Sequence, residues 1–269
     1  MEIQPRPFGE VLSEGMALLA RVWRRLLAPA FWSFTVLGGL TIVTLMTTGA
    51  NDVVQLIMTD PLALEAFSDE ELWDIAVQLG QTALVAGVLQ LLAVGFLSLV
   101  AHTLVAAEMG GSPIRTGTAV SVALRRFPTL VLAGILAGIL VILGLVALVV
   151  PGLWLAGAFT MTWPAIAVEG TGPIESLRRS FRLVRGRWWP TVGFVLLVGL
   201  MGSAAAQLVQ LVALPALAAG DGVGFGAGLG FVFLMVLQGF VVAAIAVMTT
   251  RWYVDLRARQ ERLLSSDLT

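Results

Sequence analysis

Cysteine is absent and so is lysine, and all 16 basic residues are arginine. Without cysteine there is no disulfide and no thiolate, which excludes cysteine nucleophiles and thiolate metal sites. One histidine and one tyrosine are too few for the usual nucleophilic or zinc clusters. Charge is scarce as well. Charged residues make up 12% of the chain, about half the share of a soluble domain, which leaves too little to cover a water-facing surface. The missing lysine reads as a bias of genome composition, since no membrane chemistry demands it.

What the chain has instead is apolar length. Hydrophobic residues make up 58% of the 269 positions, and residues 26–51, 75–107, 127–168, 188–220 and 222–250 carry no charge. One helical crossing of about 30 Å of hydrocarbon takes about 20 residues. The third stretch is roughly twice that, and Pro151-Gly152 divides it, a strong turn signal. The expectation is an all-α integral membrane protein with six spans, near 27–48, 79–106, 129–150, 153–168, 190–214 and 226–250. The fourth is short and contains Pro164, so it is expected to kink or to cross incompletely.

The charges then set the orientation. Residues 49–78 hold Asp52, Asp60, Glu65, Asp69, Glu70, Glu71 and Asp74 without a basic residue, and only Asp221 separates spans five and six. Every arginine falls in the N-terminal segment, in loops 107–128 and 169–189, or after Thr250. The positive-inside rule places those four regions in the cytoplasm, as an N-terminal amphipathic helix (1–25), two inner loops and a C-terminal tail (251–269). Trp32, Trp163, Trp188, Trp189, Trp252 and Tyr253 fall near span ends, where amphipathic rings favour the interface. The first apolar run lies too far from Met1 for a secretory signal, so no cleavage is expected. The expected compartment is a bacterial cytoplasmic membrane.

Three inner segments share one layout. Pro7, Pro113 and Pro173 each open a helical stretch, arginines follow, and Pro29, Pro128 or Pro190 marks entry into the next span. The chain thus reads as three membrane hairpins, each preceded by a cytoplasmic amphipathic helix. On the outer side, Ser68-Asp-Glu-Glu71 is a capping-box pattern and Asp60-Pro61 a second helix start. Short helices lying on the outer surface are expected there.

Candidate functional residues are few. In segment 173–188 a helical projection puts Ile174, Leu177, Phe181, Val184 and Trp188 in one stripe, with Arg178, Arg182 and Arg185 along its edge. Arginine stems can lie on apolar surface while guanidinium groups reach phosphates, so this helix is expected to bind anionic lipid. The competing reading pairs these arginines with Glu169 and Glu175. Glu108 and Glu169 end two spans at the inner side and are further headgroup candidates, the plainer alternative being local arginine pairing. His102 and the amides Gln90, Gln207, Gln210 and Gln238 are expected to hydrogen-bond within the bundle. Acidic residues 69–74 offer a cation site in Glu70 and Asp74, against the plainer role of solubilising the loop.

The run Val150-Pro-Gly-Leu-Trp-Leu-Ala, then Trp163-Pro-Ala-Ile-Ala-Val-Glu-Gly, then Gly172-Pro-Ile-Glu-Ser-Leu-Arg-Arg-Ser-Phe-Arg-Leu-Val-Arg-Gly-Arg-Trp-Trp resembles the membrane domain of some bacterial glycerophosphodiester phosphodiesterases and its stand-alone relatives. In the fused enzymes a separate soluble barrel does the chemistry, so the resemblance implies a membrane scaffold or partner and no transferred activity. The expectation is a non-enzymatic protein organising lipid, or a membrane protein partner, at the inner leaflet. A transporter or flippase of an amphiphile is the alternative. No cofactor, metal or nucleic acid is expected.

Overall fold

The computed structural model describes residues 4–49, 53, 56, 67–218, 225–261 and 263–268. Eight α-helices carry these residues: α1 (Phe8–Thr48), α2 (Asp69–Met109), α3 (Thr116–Ala147), α4 (Val149–Ala158), α5 (Thr162–Glu169), α6 (Pro173–Arg185), α7 (Trp188–Ala218) and α8 (Phe225–Gln260). A 3-10 turn at Ser265–Leu268 follows. Among the described residues, five stretches are long and apolar enough to cross a membrane, namely Asp69–Met109, Thr116–Ala147, Val149–Glu169, Trp188–Leu208 and Val236–Gln260. The first expected span, 27–48, is the second half of α1.

The hydrophobic pattern is that of a lipid-facing bundle. Ile135, Ile139, Ile142 and Leu143 on α3 and Leu196, Leu200, Leu208 and Leu211 on α7 are all exposed. So broad an apolar surface is intolerable in water and neutral in hydrocarbon. Helices α1, α2 and α8 pack on one another around Val22, Leu26, Phe34, Leu97, Leu104, Ala243 and Val247. A second core joins Met161, Leu183, Val184, Phe194, Trp252, Tyr253 and Leu256. His102 of α2 is buried, its Nδ1 2.7 Å from Thr250 Oγ1 of α8.

Several expectations change at their boundaries. Ser68 and Glu71 form the capping box, with Ser68 N donating to Glu71 Oε2 at 2.8 Å and Glu71 N to Ser68 Oγ at 3.4 Å. The helix they start is α2 itself, which runs unbroken to Met109, so 69–78 is no separate surface helix. Asp52, Asp60-Pro61, Glu65 and Asp221 lie outside the described residues.

The break between spans three and four falls at Leu148 (φ −164°, ψ 141°), three residues before Pro151. Pro151 sits in the first turn of α4, where its missing N–H has no helical partner to lose. The two helices touch through glycine. A Cβ on Gly144 would lie 2.9 Å from Gly152 Cα, and one on Gly152 would overlap the backbone of Leu145. Span four is split: α4 ends at Ala158, Phe159–Met161 form an elbow, and α5 resumes at Thr162.

The three inner segments also differ from one another. Segments one and two are continuous with their spans, through Pro29 inside α1 and Pro128 inside α3. Only the third forms a helix of its own, because α6 ends at Arg185 and α7 starts at Trp188. The stretch after Thr250 is not a loose tail. Helix α8 continues to Gln260 with Trp252, Tyr253, Val254 and Leu256 buried, and Leu263 and Leu268 are buried beyond it. Trp252 therefore stacks on Phe194 (centroids 4.6 Å apart, 12° between planes) and does not sit at the interface. Trp32 and Trp189, at 64% and 79% exposure, do face outward.

Candidate functional site

Helix α6 begins at Pro173, with Glu175 in its first turn and Arg182 and Arg185 in its last. That is the charge order a helix dipole favours. Its buried face is Ser176, Leu177, Ser180, Leu183 and Val184. Ser180 fixes the helix in place: its Oγ donates to Ala158 O at 2.6 Å and accepts from Met161 N at 3.1 Å. Both partners border the elbow between α4 and α5, so one hydroxyl satisfies two backbone groups that the broken span leaves unpaired.

The expected apolar stripe is divided by this docking. Leu177 and Val184 are buried in the core, while Ile174 is 58% exposed. Ile174, Leu177 and Phe181 line a cavity of about 850 Å³ together with Leu140, Leu155 and Phe159. Arg178, Arg182 and Glu175 complete its wall. Arg178, Arg182 and Arg185 are exposed and make no ion pair among the described residues, so the expected alternative of pairing with Glu169 and Glu175 is not what forms. Arg185 is also exposed but does not line the cavity.

Glu169 and Glu108 lie elsewhere. Glu169 ends α5, and Arg179 Nε donates to both its oxygens at 3.0 Å. Arg257 Nε stands 3.1 Å from its Oε1, and the Tyr253 hydroxyl donates to the same atom. The two terminal nitrogens of Arg179 reach Glu261, one of them at 2.9 Å. These hydrogen bonds hold the Glu261 carboxyl below the usual carboxylate range and raise the Arg179 guanidinium further. Arg257 on α8 and Glu261 just beyond its end form an i, i+4 pair, a spacing that the sequence displays. Arg179 sits off the apolar stripe yet turns inward, so a helical projection does not single it out. Glu108, at the end of α2, pairs with Arg25 of α1 at 3.0 Å.

A third arginine serves the same purpose. Arg126 of α3 donates to Ile166 O at 3.2 Å and to Ala167 O, capping the end of α5. Gly170 closes that helix in the left-handed conformation (φ 68°). A Cβ there would stand 3.0 Å from Arg126 Nη2. Arg25, Arg126 and Arg179 thus bind the C-terminal ends of α2, α5 and α8 respectively.

The remaining candidates are modest. Gln90 and Gln238 are half-buried and Gln207 is exposed on α7; the side chain of Gln210 lies outside the described residues. Among the described residues no group of three or more histidine or carboxylate side chains comes together at metal-binding spacing. The chemistry on offer is therefore a guanidinium pair beside an apolar cavity, next to a buried ion network.

No curated protein and no solved structure matches the chain. A family model described as a domain of unknown function (DUF7847) matches residues 75–256, from early in α2 to near the end of α8. The chain belongs to that family.

Proposed function

We propose that the protein is a non-enzymatic, multi-pass membrane protein that holds an anionic lipid of the inner leaflet against α6. One observation carries this reading: the cavity of about 850 Å³ has apolar walls from Leu140, Leu155, Phe159 and Phe181 and unpaired guanidinium groups from Arg178 and Arg182. Acyl chains suit the first and a headgroup phosphate the second, because guanidinium forks match phosphate oxygens. Each such residue near a negative leaflet contributes on the order of 1 kcal/mol.

The orientation is part of the proposal: six spans, both ends cytoplasmic, in three hairpins. The three arginine contacts support it. Arg25, Arg126 and Arg179 each bind the inner end of an inward-running span, the arrangement expected of a threefold repeat with one arginine-rich side. The cysteine-free sequence allows a direct check. A single cysteine replacing Glu70 takes an impermeant thiol reagent in intact cells, and one replacing Arg182 takes it only after permeabilisation.

The function itself is tested by gentle purification and quantification of retained lipid. Wild-type protein retains more anionic than neutral lipid, relative to the host membrane, and Arg178→Gln with Arg182→Gln loses the excess. Equal lipid profiles for the two proteins refute the site.

A further inference from the structure

A second cavity, of about 370 Å³, lies where α1, α2 and α8 meet near the arginine-bearing ends. Its charged lining is Arg6, Arg21, Arg251, Glu14 and Glu108. We propose that it is a phosphate-binding site, with Arg21 and Arg251 as the ligands to a phosphate ester. It shares no residue with the cavity on α6 and does not depend on that reading.

Arg251 is the central observation. It is 3% exposed, and it is fixed by Glu14, whose Oε2 accepts from Nε at 2.7 Å and lies 2.6 Å from Nη2. Its third nitrogen, Nη1, is buried and has no hydrogen-bond partner. A buried donor without an acceptor is costly, more so on a charged group, and native interiors leave few of them. An acceptor that reaches Nη1 from the cavity, after a small shift of this side chain, removes that cost.

Arg21 supplies the second donor. It lines the same cavity, is exposed, and makes no ion pair among the described residues. The nearby charges favour an anion. Glu14 is held by Arg251 and Arg6, and Glu108 by Arg25. Even with Glu10, which reaches Arg6 at 3.3 Å, four arginines meet three carboxylates. The volume equals that of about twelve water molecules, enough for a phosphate ester with part of its hydration. Planar guanidinium donors from two helices select the tetrahedral, multiply accepting phosphate over a monovalent halide.

The same chemistry is carried by a lipid headgroup and by a soluble ester, and two arms of one experiment separate them. Full-length protein in neutral detergent is titrated with glycerol phosphate, against chloride at matched ionic strength, and binding is followed by calorimetry. In parallel, protein in neutral nanodiscs is titrated with a short-chain phosphatidylglycerol. Saturable binding in the first arm identifies a soluble ester, and binding confined to the second identifies a headgroup; either supports the site if Arg21→Gln weakens it about tenfold or more. Both arms are run in the Arg178→Gln with Arg182→Gln background, which removes the cavity on α6 from the measurement. Arg251→Gln is expected to destabilise the bundle by stranding Glu14, so Arg21→Gln is the deciding variant. No saturable binding in either arm, or binding indifferent to Arg21→Gln, overturns the proposal.

Discussion

Arg179 Nε stands 3.0 Å from both carboxylate oxygens of Glu169, joining the middle of the arginine-rich helix α6 to the end of a membrane helix. Its terminal nitrogens join both to Glu261 beyond α8. The side chains of Glu169 and Arg179 are 17% and 13% exposed, whereas Arg25, the partner of Glu108, is 38% exposed. Glu108 is as buried as Glu169, so the difference lies in the partners: stranding a buried guanidinium costs about 3–5 kcal/mol, and stranding one that water reaches costs less. Glu169→Gln is therefore predicted to lower the unfolding temperature in detergent much more than Glu108→Gln. The reverse order contradicts the assignment of Glu169 to a structural network.

Gly170→Ala is predicted to destabilise by about 1–2 kcal/mol, the cost of a side chain in the left-handed region, with further loss from crowding Arg126. Gly186→Ala is the control. Its φ is −83° and nothing lies within 4 Å of the added carbon, so a small gain or no change is expected. Thermal unfolding of the two variants side by side checks the pair.

Much of the fold was legible because the signals were long and local. Charge-free runs locate the apolar helices, and Ser68 with Glu71 marks a helix start to the residue. The breaks were less legible. Pro151-Gly152 looks like a turn, yet proline is tolerated in a first helical turn and the glycine serves close packing against Gly144. The elbow at Phe159–Met161 leaves no composition signal, since it is held by Ser180, a residue far along the chain. The site divides in the same way. Arg178 and Arg182 were found by helical projection, but Glu169 and Glu108 were separated from them by partners on other helices. Trp252 and Tyr253 look like interface residues in the sequence and are buried because α8 continues past the apolar run.

The Glu261 carboxyl makes stability dependent on pH. Its hydrogen bond from Arg179, aided by the charges of Arg179 and Arg257 against a smaller opposing effect of burial, holds it below the usual carboxylate range. The unfolded chain therefore takes up this proton first as pH falls. The contribution is complete above the ordinary glutamate value of about 4.3 and is lost as pH drops through the lowered folded value. Unfolding temperatures measured from pH 7 to pH 3 should fall less steeply in Glu261→Gln than in wild type. Parallel curves refute the linkage.

The most direct test of the central claim is a lipid titration of delipidated full-length protein. Unfolding temperature is followed as short-chain phosphatidylglycerol or phosphatidylcholine is added, because a ligand that binds only the folded state raises it. The Arg21→Gln background is used throughout, which removes the second cavity from the measurement. The account predicts stabilisation by the anionic lipid alone, weakened by added salt, and abolished by Arg178→Gln with Arg182→Gln. Equal stabilisation by both lipids, or an anionic effect that survives the loss of both arginines, would contradict it.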